Sequence, residues 1–487
     1  MVQKHGQHPL NLEQSYLSLP EKFYSRVVPA VAPNPQNFIF NHDLQKELGF
    51  KALDDEWLTS VFSGNQLAGN SAPIAQAYAG HQFGHFTMLG DGRAILMGEV
   101  LTQRDGRYDI QMKGAGKTPY SRGGDGKATL RAMLREYLFS EAIHSLGIPT
   151  SRSLAVTTTG EPVYRETESK GAVLTRLMRS HIRVGTFEFA GHFGTKEDLQ
   201  ALTNYTLDRH FPELKETKTP ALQLLDRVMH LQIELVVQWM RMGFIHGVMN
   251  TDNTSITGET FDYGPCAFMN TYDPATVYSS IDHGGRYSFG NQPGILKWNL
   301  SRLAEALLPL IDSDEKTAVE SAVNLINQFD DIFTDTWYNM MFRKIGINGE
   351  TTGDRLLVDE LLNAMKKHKL DYTNTFLFLD QDESVVPGNS EIYYALSGWL
   401  AKWKARITSN RGNEETKKKL MRSANPVFIP RNIHIEKALD LAEEGDLTMF
   451  SKLLTTYQYP YTFREGSEEL LTFDEHYDKQ YQTFCGT

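Results

Sequence analysis

The sequence predicts an α+β protein with two lobes, the first rich in β-strands and the second mainly helical. Strand-like apolar segments and glycine-rich loops characterise residues 76–180, whereas amphipathic helical patterns dominate from Pro220 onward. The length of 487 residues is enough for two hydrophobic cores. We divide the chain into an N-terminal arm (1–75), an N-lobe (76–180), a C-lobe (181–410) and a C-terminal helical extension with tail (411–487).

The composition is that of an ordinary globular protein. Apolar residues make up 40% of the chain and charged residues 22%, and no stretch approaches the roughly 20 apolar residues that a membrane span needs. The N-terminus shows no secretory or transit pattern. A net charge of -11 without long basic runs argues against nucleic acid as a partner. We expect a cytoplasmic monomer that binds neither membranes nor nucleic acid.

The most informative stretch runs from Phe244 to Gly264. Asp252 and Asn253 are adjacent in this stretch. Nine residues after Asn253, Asp262 begins an Asp-Tyr-Gly sequence. An Asn and an Asp on adjacent loops are the oxygen ligands with which protein-kinase folds hold the metals on nucleotide phosphates. Thr257-Gly258-Glu259 predicts a turn between two short strands. The stretch indicates a nucleotide-handling site, although both motifs are also common turn sequences.

Two glycine-rich loops precede this stretch. The first, YAGHQFGHFTMLGDG, ends at Gly90-Asp91-Gly92 and runs through Arg93 into a strand. Such loops let backbone N–H groups approach phosphates closely. The second, GAGKTPYSRGGDG, includes the string GAGKT, but Gln111 stands where a Walker A loop needs its first glycine. The P-loop interpretation is therefore rejected.

A lysine and a glutamate complete the nucleotide-binding pattern. The predicted strand 108–112 delivers Lys113, and a helix predicted over 128–146 carries Glu136 at the edge of its apolar stripe. Kinases orient a phosphate-contacting Lys with a helical Glu in this order. The alternative is that Glu136 is one of several surface charges on the helix.

Arginines mark the end of the first lobe. Segments 153–158 and 162–165 predict a β-hairpin, and 172–177 predicts a further strand. Three arginines fall within eight residues at this point: Arg176, Arg179 and Arg183. A guanidinium group can donate two parallel hydrogen bonds to two phosphate oxygens, so this cluster suits an anionic ligand. The alternative is that the arginines form salt bridges on the protein surface.

Long helices are predicted for the second lobe. Thr219 caps and Pro220 opens a helix that stops at Gly243 and presents the Asp252 stretch. Further helices are predicted over 296–311, 315–328, 334–345, 355–366 and 390–407, with a loop and another helix in 425–444.

On these strings the chain resembles the selenoprotein O family, whose bacterial members are called YdiU proteins. The resemblance covers nearly the whole sequence and includes YAGHQFGHF, LGDGRA, KGAGKTPYSRGGDG, HGVMNTDN, FDYGPCAFM and RYSFGNQPGILKWNLSRLAEALLPL. It implies a kinase-like fold that binds ATP with its phosphates reversed. It also implies transfer of AMP to Ser, Thr or Tyr hydroxyls of target proteins.

The resemblance also implies roles for individual residues. The residues that would contact the nucleotide are Gly90, Gly92, Arg93, Lys113, Asp125, Gly126, Arg176, Arg183 and Asp262. Lys113 would contact the phosphates and be held by Glu136, and Asp125 and Gly126 would contact the far end of the nucleotide. Asn253 and Asp262 would ligate Mg²⁺ or Mn²⁺, and Asp252 would accept a proton.

The sequence departs from ordinary kinases at one position. Val248 lies five residues before Asn253, where a kinase catalytic loop carries its Asp. This leaves Asp252 as the nearest candidate base. Two alternatives to adenylyl transfer remain open, namely uridylyl transfer from UTP and a catalytically inactive scaffold that binds nucleotide for stability.

The two cysteines suggest a redox hypothesis. Cys485 is third from the C-terminus, where animal relatives carry selenocysteine, and Cys266 lies two residues beyond the Asp-Tyr-Gly sequence. We hypothesise that they form a disulfide beside the metal loop. The alternative is two unrelated thiols in a reducing compartment.

Overall fold

The computed structural model describes residues 10–50, 54–102, 106–380, 386–408 and 414–484. Its strands are β1 (Tyr24–Arg26), β2 (Gln36–Phe40), β3 (Ile74–Gln76), β4 (Ala79–Gln82), β5 (His85–Met88), β6 (Ala94–Thr102), β7 (Gly106–Lys113), β8 (Ala128–Thr129), β9 (Arg152–Tyr164), β10 (Glu168–Met178), β11 (Phe244–Ile245) and β12 (Ala267–Phe268).

The α-helices are α1 (His42–Glu47), α2 (Asp55–Phe62), α3 (Leu130–Ser145), α4 (Val184–Phe193), α5 (Lys196–His210), α6 (Pro220–Met242), α7 (Gln292–Ile311), α8 (Glu315–Ile326), α9 (Phe329–Lys344), α10 (Asp354–His368), α11 (Tyr372–Phe378), α12 (Asn389–Thr408), α13 (Glu414–Ala424), α14 (Asn432–Glu443), α15 (Thr448–Tyr457) and α16 (Glu475–Gln480). The predicted α+β class is confirmed. None of the described helices is both long and apolar enough to cross a membrane.

One large antiparallel sheet organises the first part of the chain. Its strands lie in the order β1-β3-β6-β7-β10-β9-β2, and β8 pairs with β10. β1 and β2 come from the predicted N-terminal arm, and they form the two edges of the sheet. The arm therefore contributes to the same sheet as the residues that follow it.

The predicted hairpin between 153–158 and 162–165 is wrong. These residues form one continuous strand, β9, which pairs with β10 along nearly its whole length. The real turn lies at 165–167, where the backbone N–H of Arg165 donates to the carbonyl oxygen of Thr167. Gly160 has φ +77° and adapts to an irregularity inside the strand instead of making a turn.

Helix α6 is the centre of the helical part. Its limits match the sequence prediction, because Pro220 occupies the first turn and Gly243 ends the helix with φ +73°. Thr219 lies at the N-cap position, but its side chain makes no capping hydrogen bond. α6 packs against α7 and α9. The predicted helices 296–311, 315–328, 334–345, 355–366 and 390–407 correspond to α7, α8, α9, α10 and α12 with shifted ends.

The segment after Asp252 is a loop, so the two short strands predicted there are wrong. Ser255 and Thr260 make only isolated bridges, with Arg183 and Thr150. The strands that flank the segment, β11 and β12, pair with each other instead. The predicted pattern fails because the polar side chains bond locally; the Thr257 hydroxyl, for example, donates to Glu259.

The C-terminal extension packs onto helix α3. Helices α14 and α15 both contact α3. Glu436 on α14 pairs with Arg131 and with Arg135, the latter at 2.8 Å between Oε1 and Nη1. Arg135 also donates to the carbonyl oxygens of Gly264 at 3.3 Å and Cys266 at 2.6 Å. Arg135 of α3 thus contacts both the extension and the chain beyond Asp262.

Removing the buried guanidinium of Arg431 should destabilise the fold. Its Nη1 lies 2.7 Å from Asp371 Oδ2 and 2.7 Å from Asn270 Oδ1. Arg431→Met leaves the Asp371 carboxylate buried without a cation, which typically costs about 3–5 kcal/mol. We expect denaturant titrations to show that the free energy of unfolding falls by about 3–5 kcal/mol.

Adding Asp371→Asn to this variant should recover part of the loss, because the buried charge is then removed. Arg355→Met is the control, since Arg355 is exposed and exposed pairs contribute about 0–1 kcal/mol. Equal decreases in the free energy of unfolding for Arg431→Met and Arg355→Met would contradict this explanation.

Candidate active site

Four charged side chains meet between the sheet and the Asp-Tyr-Gly loop. Lys113 Nζ lies 2.6 Å from Glu136 Oε2 and 2.5 Å from Asp262 Oδ1. Arg176 Nη1 lies 2.7 Å from Glu136 Oε1 and 2.7 Å from the same Asp262 oxygen. Two cations and two carboxylates thus form a closed cluster, hereafter the Lys113 cluster. The ion pair between Lys113 and Glu136 that the sequence predicts is present.

The strand register explains why these residues meet. Gln111 and Lys113 are two apart on β7 and point to the same face of the sheet. Arg176 on β10 lies directly opposite Gln111 in the antiparallel register. Its Nε and Nη2 both donate to Gln111 Oε1, at 3.0 and 2.7 Å. Glu136 reaches the same face from α3, so one face of the sheet carries the cluster.

Asp262 is the carboxylate that both cations share. Burial alone raises the pKa of this carboxyl, but the charges of Arg176, Lys113 and Arg183 lower it well below its usual value. Its backbone has φ +63°, a conformation that non-glycine residues seldom adopt and that often marks functional sites. The Asp262 side chain therefore stays ionised at neutral pH and is about a quarter exposed.

Arg183 occupies a second position beside the Lys113 cluster. Its guanidinium carbon lies 4.1 Å from the ring centre of Tyr78 and 5.0 Å from that of Phe261. Nη1 donates to the carbonyl oxygen of Asp252 at 3.1 Å, and Nη2 lies 3.7 Å from Asp91 Oδ1. Nη2 has no hydrogen-bond partner among the described residues. A buried guanidinium with an unused donor is suited to an anionic ligand.

Asp91 is a site residue that the sequence prediction missed. It lies between Gly90 and Gly92, where its carboxylate accepts hydrogen bonds from the backbone N–H of Gln76 at 3.0 Å and from Gln111 Nε2 at 3.2 Å. Burial raises the pKa of Asp91 to about 6. Gln111 was missed too, although its position two residues before Lys113 on a strand is the signal that places both on one face.

Asp252 is held close to the β4–β5 hairpin. A Cβ on Gly80 would lie 2.8 Å from Asp252 Oδ1, and a Cβ on Gly185 would lie 2.1 Å from the carbonyl oxygen of Ala79. Only glycine permits these approaches. Burial raises the pKa of Asp252 to about 6, and its Oδ1 has no hydrogen-bond partner among the described residues. This pKa suits a proton acceptor at neutral pH.

Asn253 lies at the end of the same turn. Its Nδ2 donates to the carbonyl oxygen of Val248 at 3.0 Å. This bond fixes the amide and leaves Oδ1 as its remaining polar atom. Val248 therefore contributes only a backbone acceptor at the position where a kinase carries its Asp.

The two glycine-rich loops pack against each other. A Cβ on Gly90 would lie 2.3 Å from Tyr120 Cγ, and a Cβ on Gly92 would lie 3.0 Å from the carbonyl oxygen of Tyr120. The backbone N–H of Gly114 donates to the carbonyl oxygen of Arg93 at 2.7 Å. Close contact between the loops is thus a structural reason for both glycines, beside any contact with phosphates.

Asp125 and Gly126 lie outside the Lys113 cluster. Asp125 forms a two-pronged pair with Arg165, at 2.9 and 3.0 Å, and these hydrogen bonds lower its pKa to about 2. Gly126 packs on the backbone of Gly116, where a Cβ would come within 2.1 Å of the carbonyl oxygen. Both residues belong to the wall of the second glycine-rich loop.

A cavity of about 730 Å³ opens beside the Lys113 cluster. Its lining includes Arg93, Lys113, Glu136, Tyr263 and, from the C-terminal tail, Tyr481. This volume is typical of sites for small ligands such as a nucleotide.

The cysteine hypothesis is only partly covered by the described residues. Cys266 is fully buried, and burial raises the pKa of its thiol to about 12. Cys485 lies outside the described residues. Thr483, two residues earlier, donates from Oγ1 to the carbonyl oxygen of Pro265 at 2.7 Å.

Similarity to known proteins agrees with this geometry. The family model described as Protein adenylyltransferase SelO matches residues 7–458. The chain belongs to the SelO family. A protein of Brevibacillus brevis named Protein nucleotidyltransferase YdiU is 51% identical over 483 residues, covering 98% of both chains. Proteins of the same name from Pelagibacter ubique and Anoxybacillus flavithermus are each 50% identical and cover 98% of this chain and 99% of their own.

Membership of the SelO family establishes the class of activity. The chain is a nucleotidyltransferase, and the family name identifies the transferred group as adenylyl. ATP is accordingly the nucleotide substrate and protein the acceptor. These conclusions agree with the sequence resemblance.

The raised pKa of Asp252 predicts a pH-dependent gain in stability on Asp252→Asn. The unfolded carboxyl has a pKa of about 3.8 and the folded one about 6. Ionisation therefore opposes folding as the pH rises from about 4 to 6, and the cost is constant above that range. We expect Asp252→Asn and the parent to be similarly stable near pH 4, with the variant more stable by roughly 3 kcal/mol above pH 6.

Denaturant titrations without nucleotide between pH 4 and 8 measure this difference. Asp43→Asn, which removes an exposed carboxyl, is the control for a general effect of charge. A difference between Asp252→Asn and the parent that does not grow from pH 4 to 6 would refute the argument.

Proposed function

We propose that this protein transfers AMP from ATP to Ser, Thr or Tyr hydroxyls of other proteins, in a metal-dependent reaction that releases pyrophosphate. The observation that carries the proposal is the Lys113 cluster, which lies next to the raised-pKa carboxylate of Asp252. We further propose that the fold is protein-kinase-like. The division into arm (1–75), N-lobe (76–180), C-lobe (181–410) and extension (411–487) belongs to the same proposal.

The charge distribution supports attack at the α-phosphorus. In adenylyl transfer the leaving group is pyrophosphate, so negative charge must be stabilised along the whole phosphate chain. Lys113 and Arg176 supply charge at the Lys113 cluster, and Arg183 supplies a buried guanidinium with an unused donor. Glu136 orients both Lys113 and Arg176. Three cations thus flank the proposed path of the phosphates.

The remaining nucleotide contacts are proposed along the glycine-rich loops. Gly90, Gly92 and Arg93 would contact the nucleotide where the first loop enters β6. Asp125 and Gly126 would contact its far end from the second loop, which packs directly on the first. Glycine backbone approaches phosphates closely because no Cβ intervenes.

Asn253 and Asp262 fit a divalent metal. Both present oxygen atoms, which Mg²⁺ and Mn²⁺ prefer, and Asp262 remains ionised and partly exposed. Two protein ligands leave the other positions for nucleotide phosphates and water, as is usual for Mg²⁺ in nucleotide enzymes. When bound, the metal would neutralise phosphate charge.

Asp252 would act as the proton acceptor. The hydroxyl oxygen of the target residue bonds to the α-phosphorus, the bond from that phosphorus to the bridging oxygen breaks, and pyrophosphate leaves. The hydroxyl proton passes to the Asp252 carboxylate. A pKa of about 6 keeps most of this carboxyl deprotonated at pH 7 while leaving it more basic than an ordinary Asp.

Labelled ATP tests the proposed reaction. We expect protein-bound label from α-phosphate-labelled ATP and none from γ-labelled ATP when the enzyme is incubated with a mixed protein extract. Asp262→Ala should lower incorporation at least about 10²-fold, because it removes the shared carboxylate of the cluster. Asp330→Ala, which removes an exposed aspartate, is the matched control and should retain activity.

Other outcomes would favour the alternatives. Label from γ-phosphate would indicate a kinase. Incorporation from UTP in preference to ATP would indicate uridylyl transfer. No label from any nucleotide, with nucleotide binding intact, would indicate an inactive scaffold.

We also propose that a disulfide between Cys266 and Cys485 regulates the enzyme. Thr483 Oγ1 donates to the carbonyl oxygen of Pro265 at 2.7 Å, so the described end of the tail lies beside the residue that precedes Cys266. Burial raises the pKa of the Cys266 thiol to about 12, so little of it is the reactive thiolate at neutral pH.

Peptide mapping of oxidised protein under non-reducing conditions tests the disulfide. We expect a cross-linked peptide containing Cys266 and Cys485 that disappears on reduction and in Cys485→Ser. If the cross-linked peptide is not found in oxidised wild-type protein, the proposed disulfide is rejected.

A further inference from the structure

A positively charged aromatic surface lies beside the Asp252 loop, and the chemistry proposed above gives it no role. It consists of Arg286, Trp298 and Arg302, hereafter the Arg286 surface. The guanidinium carbons of Arg286 and Arg302 lie 5.0 and 5.3 Å from the ring centre of Trp298. Both arginines and the tryptophan are partly exposed. Two cations therefore lie close to one partly exposed indole ring.

The Arg286 guanidinium lacks an acidic partner. Among the described residues it forms no ion pair with a carboxylate, and its Nε has no hydrogen-bond partner. Arg302 pairs with the exposed Glu305 at 2.7 Å, but its Nε also has no partner in the described part of the chain. In a protein of net charge -11, an arginine held against an aromatic ring without a carboxylate partner is suited to an external anion.

The backbone holds Arg286 in place. Asp282 accepts hydrogen bonds from the backbone N–H groups of Arg286 and Tyr287, each at 2.8 Å. Asn291 Nδ2 donates to the carbonyl oxygen of Arg286 at 2.6 Å. The guanidinium is thus presented from a turn that is already ordered, which reduces the entropy lost on binding a partner.

The Arg286 surface is continuous with the Asp252 loop. The Trp298 ring packs edge-on against His81 at 5.1 Å between ring centres, and the His81 backbone N–H donates to Thr251 Oγ1 at 2.8 Å. Tyr287, next to Arg286, donates from its hydroxyl to Asn250 Oδ1 at 2.5 Å. The Arg286 surface is therefore linked to Thr251 through His81 and to Asn250 through Tyr287.

The β4–β5 hairpin limits the distance from the Arg286 surface to the proposed base. Gly80 contacts Asp252, and a Cβ on Gly84 would lie 3.8 Å from the Arg286 guanidinium carbon. The two glycines are four residues apart, so at most about 14 Å separates their Cα atoms. An extended peptide advances about 3.3 Å per residue. With about 4 Å of contact added at each end, the Asp252 carboxylate and the Arg286 guanidinium are at most about 22 Å apart. An extended peptide covers that distance in about seven residues.

We propose that the Arg286 surface binds an acidic side chain of the protein substrate, within about seven residues of the hydroxyl that receives AMP. The carboxylate pairs with the Arg286 guanidinium, and Arg302, close to the same Trp298 ring, adds positive charge. The proposal rests on the proposed function for the identity of the acceptor. It adds a preference for acidic sequences around the modified residue.

Synthetic peptides test this preference. The set has one central Ser, Thr or Tyr in a Gly/Ala background, with a single Glu moved through each position from seven before to seven after it. Matched peptides carry Gln instead. Equilibrium binding of fluorescein-labelled peptides is measured with Mg²⁺ and α,β-methylene-ATP, which resists transfer. Incorporation of label from α-phosphate-labelled ATP is measured separately.

We expect Glu at one or two positions to lower the Kd about tenfold relative to Gln. Arg286→Gln should abolish this ratio and leave the binding of the nucleotide analogue unchanged. Arg355→Gln is the matched control, because Arg355 also lies over an aromatic ring, 4.8 Å from the centre of Tyr338, and should keep the preference. Arg302→Gln should reduce the ratio without abolishing it.

The two measurements separate this proposal from the proposed function. If peptides with Glu bind more tightly than those with Gln but no label is transferred, the proposal for the Arg286 surface is supported and adenylyl transfer is rejected. The proposal for the Arg286 surface is rejected if label is transferred but all Glu and Gln peptides bind equally. It is also rejected if the preference for Glu remains in Arg286→Gln. Weakened nucleotide binding in Arg286→Gln would also overturn it, by assigning the guanidinium to phosphate. Preference for phosphoserine but not Glu at the same position would reject the carboxylate.

Discussion

The carboxylate of Asp262 is the anion around which the candidate site is assembled. One of its oxygens contacts both Lys113 and Arg176, and each of these cations also contacts Glu136. Buried charges are tolerated only when they are paired, so none of the four is readily replaced alone. The cluster draws together strand β7, strand β10, helix α3 and the Asp-Tyr-Gly loop. Their relative positions therefore depend on one balanced set of charges.

The C-terminal extension reinforces the same arrangement from outside. Helix α3 carries Glu136 on its inner side and Arg135 next to it. Arg135 contacts Glu436 of the extension and the carbonyl oxygens of Gly264 and Cys266, just beyond Asp262. A displacement of α3 would break these contacts together with the ion pair to Lys113. The extension thus acts as part of the frame that holds the Lys113 cluster, although it lies far from that cluster in sequence.

Much of the site was predictable because its signals are local. Lys113 at a strand end, Glu136 on an apolar helical stripe and the Asp252–Asp262 stretch all follow from residue type and spacing. The limits of α6 followed from Pro220 and Gly243, whose backbone preferences are strong. The α+β class followed from the change of pattern along the chain.

Other features depended on contacts between distant parts of the chain. β9 runs through the predicted turn because β10 pairs along its whole length, which local preferences do not reveal. Asp91 and the unused donor of Arg183 depend on packing between the first glycine-rich loop and Phe261. Arg302 lies one turn after Trp298 on α7, whereas Arg286 belongs to the loop before that helix, so it is the fold that brings Arg286 to the ring.

The tight contact between the β4–β5 hairpin and its neighbours has a consequence for how this chain can vary. The approach is so close that a Cβ on Gly80 would lie 2.8 Å from Asp252 Oδ1, and one on Gly185 would lie 2.1 Å from the carbonyl oxygen of Ala79. A side chain at either position would separate the two surfaces and hydrate the carboxylate, returning its pKa toward that of an ordinary Asp. The basicity of the proposed proton acceptor is therefore encoded partly in two glycines that carry no chemistry of their own.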